Sequence, residues 1–268
     1  VLASQARRRG FESLHPLHAT TFNSNRSAHQ RNRQAGEDQT KANQMTIEEI
    51  IQLLEREYGT REWQPGEEPV DVLIRTVLSQ NTSDINSKRA LDSLLSAFDD
   101  WKVVAHAPVE HIAQAIKPGG LSRIKAARIK KILNEIEKEQ GCISLALLNL
   151  MSMSEAKDYL LHLPGVGQKT ASCVLLFALG RPCLPVDTHI FRVAKRLGLI
   201  DTKVSVEKAH SLLQEQVSPL QVYQFHLHMI EHGRRVCHAR QPRCHDCVLK
   251  EGCRSLLFSH SSSKPGIA

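Results

Sequence analysis

The sequence predicts an all-α protein. No segment sustains the apolar–polar alternation of a half-buried strand. Apolar residues instead recur at three- and four-residue spacing in one segment after another. Those segments tend to open on Thr, Asp or Pro and to close on Gly. In chain order, Thr46 and Glu49 make a capping box ahead of Ile47, Ile50, Ile51, Leu53 and Leu54, which share one helical face, and Gly59 ends that helix. Residues 63–69 read as a Pro/Gly/Glu loop. Helices follow over 70–80 and 84–98, the second with Asp84 as N-cap. Pro108 suits the first position of a helix running to Ile116, which Pro118, Gly119 and Gly120 stop. Residues 122–140 form a long basic amphipathic helix closed by Gly141, and short helices cover 145–150 and 154–161. After a Gly-rich stretch at 163–167 comes a helix over 168–179, then a loop to Val186. Three more helices cover 188–197, 205–217 and 220–232, and residues 257–268 read as a frayed, Ser-rich tail.

The chain has 268 residues, of which 41% are hydrophobic and only 4% aromatic. That composition excludes a collagen, a coiled-coil rod and a wholly disordered chain. No apolar run approaches the ~18 residues of a membrane span, the longest being 171–180, so no membrane partner is expected. With 35 Lys+Arg against 28 Asp+Glu, the formal charge of +7 fits a polyanionic partner, and the scarcity of aromatics argues against single-strand binding by base stacking. The basic excess is concentrated in residues 1–44. From 23 to 44 that segment has no large apolar side chain and reads as a disordered basic extension. Being Arg- and Ser-rich and acid-poor, it also fits an organelle transit peptide, though a plain upstream extension is the simpler reading. Without an apolar signal near the N-terminus the expected location is cytoplasmic, nucleoid-associated in a bacterium.

Two segments carry chemistry. In LPGVGQKTA (163–171) the glycines at 165 and 167 free the backbone for a tight turn whose N–H groups lie at the start of the next helix, where an anion such as a phosphate is favoured. An ordinary turn between helices is the plainer alternative, and the P-loop spacing is absent. Among the seven cysteines, Cys142, Cys173 and Cys183 are scattered and read as reduced packing residues. Cys237, Cys244, Cys247 and Cys253 follow the pattern C-x6-C-x2-C-x5-C. Four thiolates suit a cubane iron–sulfur cluster or a tetrahedral zinc, and His238 and His245 leave a mixed Cys/His zinc site open. Disulfides are a third option, disfavoured in a chain without secretory features.

LPGVGQKTA resembles the helix-hairpin-helix of DNA base-excision glycosylases, and VDTHIFRVAKRLGL (186–199) resembles their catalytic aspartate segment. With the four-cysteine pattern the resemblance is to the endonuclease III family, over roughly residues 45–256. It implies two helical lobes with a cleft between them. Residues 67–181 would form a helical barrel ending in the hairpin, and residues 45–66 plus 182–256 an iron–sulfur cluster domain. It implies a four-iron four-sulfur cluster on Cys237, Cys244, Cys247 and Cys253. Lys169 would attack the sugar C1′ of a damaged nucleotide and Asp187 would help deprotonate it and stabilise the sugar cation. By themselves Lys169 reads as a solvated helix lysine and Asp187 as an N-cap for Ile190 or His189. His189 reads as structural.

The implied activity is that of a bifunctional DNA glycosylase and abasic-site lyase of base-excision repair. It would remove oxidised pyrimidines from duplex DNA and cleave by β-elimination. The alternatives are a uracil/thymine mismatch glycosylase and a non-catalytic, zinc-stapled DNA-binding module. The partner is duplex DNA holding damaged bases or abasic sites, bound by a monomer. Expected DNA contacts are Leu163, Gly165, Val166, Gly167 and Thr170 of the hairpin, and Arg234, Arg240 and Arg243 around the cysteines. The family's polar wedge falls on Asn81 with Gln80 adjacent, one place from its usual position for glutamine, and an amide capping the next helix is an equal reading of either. Arg123, Lys125, Arg128, Lys130 and Lys131 read first as a solvated basic face.

Overall fold

The computed structural model describes residues 45–261, all in helices, short turns and loops, with no strand among the described residues. The extension expected at 1–44 and residues 262–268 of the expected tail lie outside the described residues. No helix among the described residues is long and apolar enough to cross a membrane.

Helix α1 (Ile47–Tyr58) begins at the capping box. Thr46 Oγ1 accepts from the Glu49 amide at 3.2 Å, and the Glu49 carboxylate accepts from the Thr46 amide at 2.8 Å. Its apolar stripe, Ile47, Ile50, Ile51, Leu54 and Tyr58, is buried far along the chain, against α9 (Thr188–Leu197), α10 (Val206–Gln216) and α11 (Val222–Arg235). Phe225, Ile190 and Leu213 fill the centre of this core. A separate core is built from α2 (Pro69–Ser79), α3 (Asp84–Ala97), α4 (Trp101–His106), α5 (Val109–Ala115), α6 (Ser122–Gln140), α7 (Met153–His162) and α8 (Gln168–Cys173). Leu73, Ile74, Ile112, Ile129 and Leu133 are fully buried there, each contributing roughly 2 kcal/mol through apolar burial.

The chain crosses between cores just after α8. Val174 and Leu175 pack into the first core and Leu176 into the second. The helix widens there into a π turn, Val174–Ala178, instead of running on regularly to Leu179. Trp63 pins the widened turn. Its indole N–H donates to the Phe177 carbonyl at 2.7 Å. Its ring covers Gly180, at φ +62, where a Cβ would meet it at 2.9 Å.

Elsewhere the boundaries differ in instructive ways. Ser83 rather than Asp84 caps α3, accepting from the Asn86 amide, and Asp84 pairs with Arg234 at 2.7 Å across the two cores. Pro108 is the N-cap of α5, one place earlier than expected. Helix α4, absent from the sequence reading, is capped by Asp100 and only six residues long, too short to show a full apolar period. Residues 257–261, expected to fray, continue α12 (Arg254–Ser261). Cys142 is exposed rather than a packing residue, whereas Cys173 and Cys183 are buried.

The basic helix departs most from expectation. Arg123 and Lys131 are exposed, as a solvated face requires. Lys125 is buried and Arg128 half-buried. Lys130 spans to the Ala107 carbonyl at 2.5 Å, tying α6 to the turn after α4.

Candidate active site

Helix α7 ends at His162, and the chain turns through 163–167 into α8. The Val166 amide donates to the Leu163 carbonyl at 3.1 Å, closing the turn. Gly165 sits at φ +77. Gly167 is the N-cap of α8 and supplies no side-chain acceptor, which leaves the first-turn amides open to solvent or an anion. Both glycines are exposed. The side chains of Leu163, Val166 and Thr170, all expected DNA contacts, are buried. The burial is what anchors the turn: Leu163 and Val166 sit in the first core. Arg128 lies across Gly165, so that a Cβ there would stand 2.7 Å from its Nε. Gly165→Ala combines a positive φ with that clash and is expected to destabilise by about 1–3 kcal/mol. An unchanged urea midpoint would contradict the turn geometry.

Lys169 lies on the first turn of α8, half-buried. One helical turn further on is Cys173, buried, with Thr76 of α2 beside it. Asp187 is held from the other core. It follows buried Val186 and caps α9, its Oδ1 accepting from the Ile190 amide at 2.8 Å. The N-cap reading of Asp187 is therefore correct, and it does not exhaust the residue's environment. Burial pushes the Cys173 thiol up, while the Lys169 ammonium pulls it down and Asp187 opposes that pull. His226 of α11 is also buried, its Nδ1 at 3.0 Å from the Pro185 carbonyl. Burial drives this ring down to about 4, with Asp187 working against the shift and Lys169 and Arg234 reinforcing it. Lys169 and Asp187, from different cores, thus act on the same two buried groups. Cys173 was read from the sequence as a packing residue and is buried as expected, whereas nothing local singled out His226.

Two exposed loop tips stand on the first core. Asn81, after α2, has φ +53, and Leu121, before α6, has φ +49 with 52% of its surface exposed. Asparagine tolerates left-handed backbone, but a leucine there is strained, and an exposed one gains nothing from burial. Leu121 was not singled out from sequence; its only local mark is the Gly119–Gly120 pair ahead of it. Gln80 is not free like Asn81. Its Oε1 accepts from Arg128 at 2.5 Å and its amide reaches Thr170 Oγ1 at 3.5 Å. It is a link between α2, α6 and the hairpin.

The four late cysteines lie on the loop between α11 and α12, with Cys237, Cys247 and Cys253 packed against the second core. Helix α9, which Asp187 begins, holds this loop with two arginines. Arg192 donates to the carbonyls of Cys237 at 2.9 Å and Gly233 at 2.8 Å, and engages His189 Nδ1 at 3.1 Å, so His189 is structural here. Arg196 donates to the His238 carbonyl at 2.6 Å and to Cys237 Sγ at 3.2 Å. Burial pushes the Cys247 thiol up to about 11, and the nearness of Cys253, Cys237 and Cys244 adds to the rise. Burial pushes the Cys253 thiol up as well; several thiolates gathered on one loop need a cationic partner, and Arg196 already donates to the Cys237 sulfur. The residues fit a metal centre. Among the described residues no three His, Cys, Asp or Glu side chains converge on a single ion. Of the neighbouring arginines, Arg240 is exposed, Arg243 pairs with Asp246 at 3.1 Å and Arg234 with Asp84.

Residues 74–219 match the model of the HhH-GPD superfamily of base excision DNA repair proteins. An Arabidopsis thaliana protein, provisionally named a DNA glycosylase, is 39% identical over 168 residues, which are 63% of this chain and 57% of that protein. Endonuclease III of Thermotoga maritima is 35% identical over 187 residues, covering 69% of this chain and 83% of the bacterial enzyme. Among solved structures, a trapped endonuclease III–DNA covalent intermediate superposes with a TM-score of 0.68 at 28% identity, over 81% of this chain and 99% of that one.

Proposed function

The chain belongs to the HhH-GPD superfamily of base excision DNA repair proteins, within it to the endonuclease III family, and from that membership we propose that it is a bifunctional DNA glycosylase and abasic-site lyase acting on oxidised pyrimidines in duplex DNA. The observation that supports the reading is the placement of Lys169 on the first turn of α8, directly after the glycine turn, with Asp187 capping α9 of the other core.

The chemistry follows from that pair. Asp187 takes a proton from the Lys169 ammonium, directly or through water. The free amine then attacks C1′ as the bond to the base breaks, and the base leaves with the electron pair and a proton. Opening of the sugar ring gives a Schiff base between Lys169 Nζ and C1′. The cationic imine withdraws electrons, so a proton leaves C2′ and the 3′ phosphate is expelled. Water then releases the lysine. The amides of the exposed Gly165 and Gly167 would hold a backbone phosphate without reading sequence. Asn81 and Leu121 are the tips that would enter the stack when the damaged nucleotide is extruded. Arg240 would meet phosphates, and Arg234 and Arg243 could do so only by exchanging Asp84 and Asp246 for them.

Cys237, Cys244, Cys247 and Cys253 would hold a four-iron four-sulfur cluster. Such a group would supply a covalent staple for the loop that carries Arg240 and Arg243. Purified protein is expected to be brown and to contain iron and sulfide in equal amounts. Cys247→Ser should lose both and melt several degrees lower. Colourless protein with stoichiometric zinc would overturn the cluster. The substrate is tested with duplexes carrying an oxidised pyrimidine, uracil opposite guanine, thymine opposite guanine, or an abasic site. Excision of the oxidised base with strand cleavage supports the reading. Excision confined to the mismatches replaces it with a mismatch glycosylase, and binding without excision replaces it with a DNA-binding module.

A further inference from the structure

Lysine is rarely buried without an acidic partner, yet Lys125 is only 3% exposed and its ammonium meets main-chain carbonyls instead. It donates to Leu78 O at 2.7 Å and to Gly119 O at 2.9 Å. A methionine or leucine would fill the space on α6 without the cost of stripping water from a cation. The compensation lies in what the two carbonyls belong to. Leu78 is on the last turn of α2, where unpaired carbonyls attract a cation. Three residues on is Asn81. Gly119 ends a 3-10 turn, and two residues on is Leu121. One buried ammonium therefore joins the roots of the two exposed tips. Space for the joint is tight: a Cβ on Gly119 would stand 2.9 Å from Ala90 Cβ. Arg128, on the same helix, extends the tie to the hairpin through Gln80 and Gly165.

We infer that Lys125 is a positioning residue that sets the spacing between the Asn81 and Leu121 tips, so that both enter one duplex and drive a single nucleotide out of the stack. It does so from inside the protein and touches no DNA. The inference rests on the glycosylase reading given above and adds to it a residue that controls entry into the helix.

Duplex DNA has to be invaded before the sugar is reached, and single-stranded DNA does not. Borohydride trapping on abasic-site DNA of both forms therefore separates the role from a loss of fold. Lys125→Met, in the full chain, is expected to trap the single strand within about threefold of wild type. On the duplex it should be slowed at least thirtyfold, and the fluorescence rise of a 2-aminopurine placed beside the lesion should vanish. Lys125→Arg, which keeps donors, should recover part of the duplex rate. Gly119→Ala disturbs the same joint without removing the lysine and should give the same split. It decides the matter if Lys125→Met shows no helical circular dichroism. Duplex trapping within threefold of wild type in folded Lys125→Met, or an equal loss on both DNA forms, overturns the inference. Wild-type protein that traps neither form would instead remove the glycosylase reading beneath it.

Discussion

Lys169→Ala is expected to give no borohydride-trapped adduct on abasic-site DNA and to lower the excision rate by about a thousandfold or more, the scale on which a nucleophile's removal is felt. The fold should survive the change. Lys169 is half-buried on the first turn of α8 and no core depends on it, since Thr170, Ala171 and Cys173 fill the space beneath. Duplex binding should fall little, because the hairpin amides and the loop tips remain. The result that counts against the mechanism is an adduct of undiminished yield in the variant, for then another amine attacks C1′. Retained folding with retained binding and no adduct would place the loss in the chemical step alone.

The second large effect separates two roles that Asp187 plays at once. Asn caps a helix about as well as Asp, so Asp187→Asn should keep the bond to the Ile190 amide and stay within about 0.5 kcal/mol of wild-type stability. Its single-turnover rate should nevertheless fall by about a hundredfold to ten-thousandfold, because an amide cannot take the lysine's proton. Asp187→Ala should lose the cap as well, adding a penalty of about 1 kcal/mol. Denaturation midpoints set beside single-turnover rates check both halves. If Asp187→Asn is as active as wild type, the residue is a cap and nothing more.

Much of the site's inventory was legible in the chain because it is local. A capping box, a Gly-x-Gly turn, a lysine four residues past its first glycine and four cysteines within seventeen residues are all written in consecutive positions. The same locality sets the limits of helix α9, whose Asp187 cap and Gly198 stop fall where expected. What the chain could not show is which neighbour a side chain meets. Leu163, Val166 and Thr170 belong to the hairpin motif but turn inward, because a turn is held in place by what it buries. Five basic residues in nine positions looked like one wet face, although α6 is packed along much of its length and must direct some of them inward. Lys125 and Arg128 carry no local mark of their work, since their partners lie on α2, on the Gly119 turn and on the hairpin.

The linear order of residues by itself determined that this chain is helical, that its second half contains a phosphate-sized turn, a paired lysine and aspartate and a four-thiol loop, and that these occur in a particular order. Periodicity, capping and ligand spacing are short-range properties, and they suffice for that. Only the tertiary structure decided that the carbonyls of Leu78 and Gly119 meet one buried ammonium, that Gln80 bonds to Arg128 and Thr170, and that Asp84 pairs with Arg234. Each of these is a contact between segments far apart in sequence. Such contacts are selected by how two apolar cores close on one another, a many-body packing problem that leaves no periodic trace in any single stretch of chain.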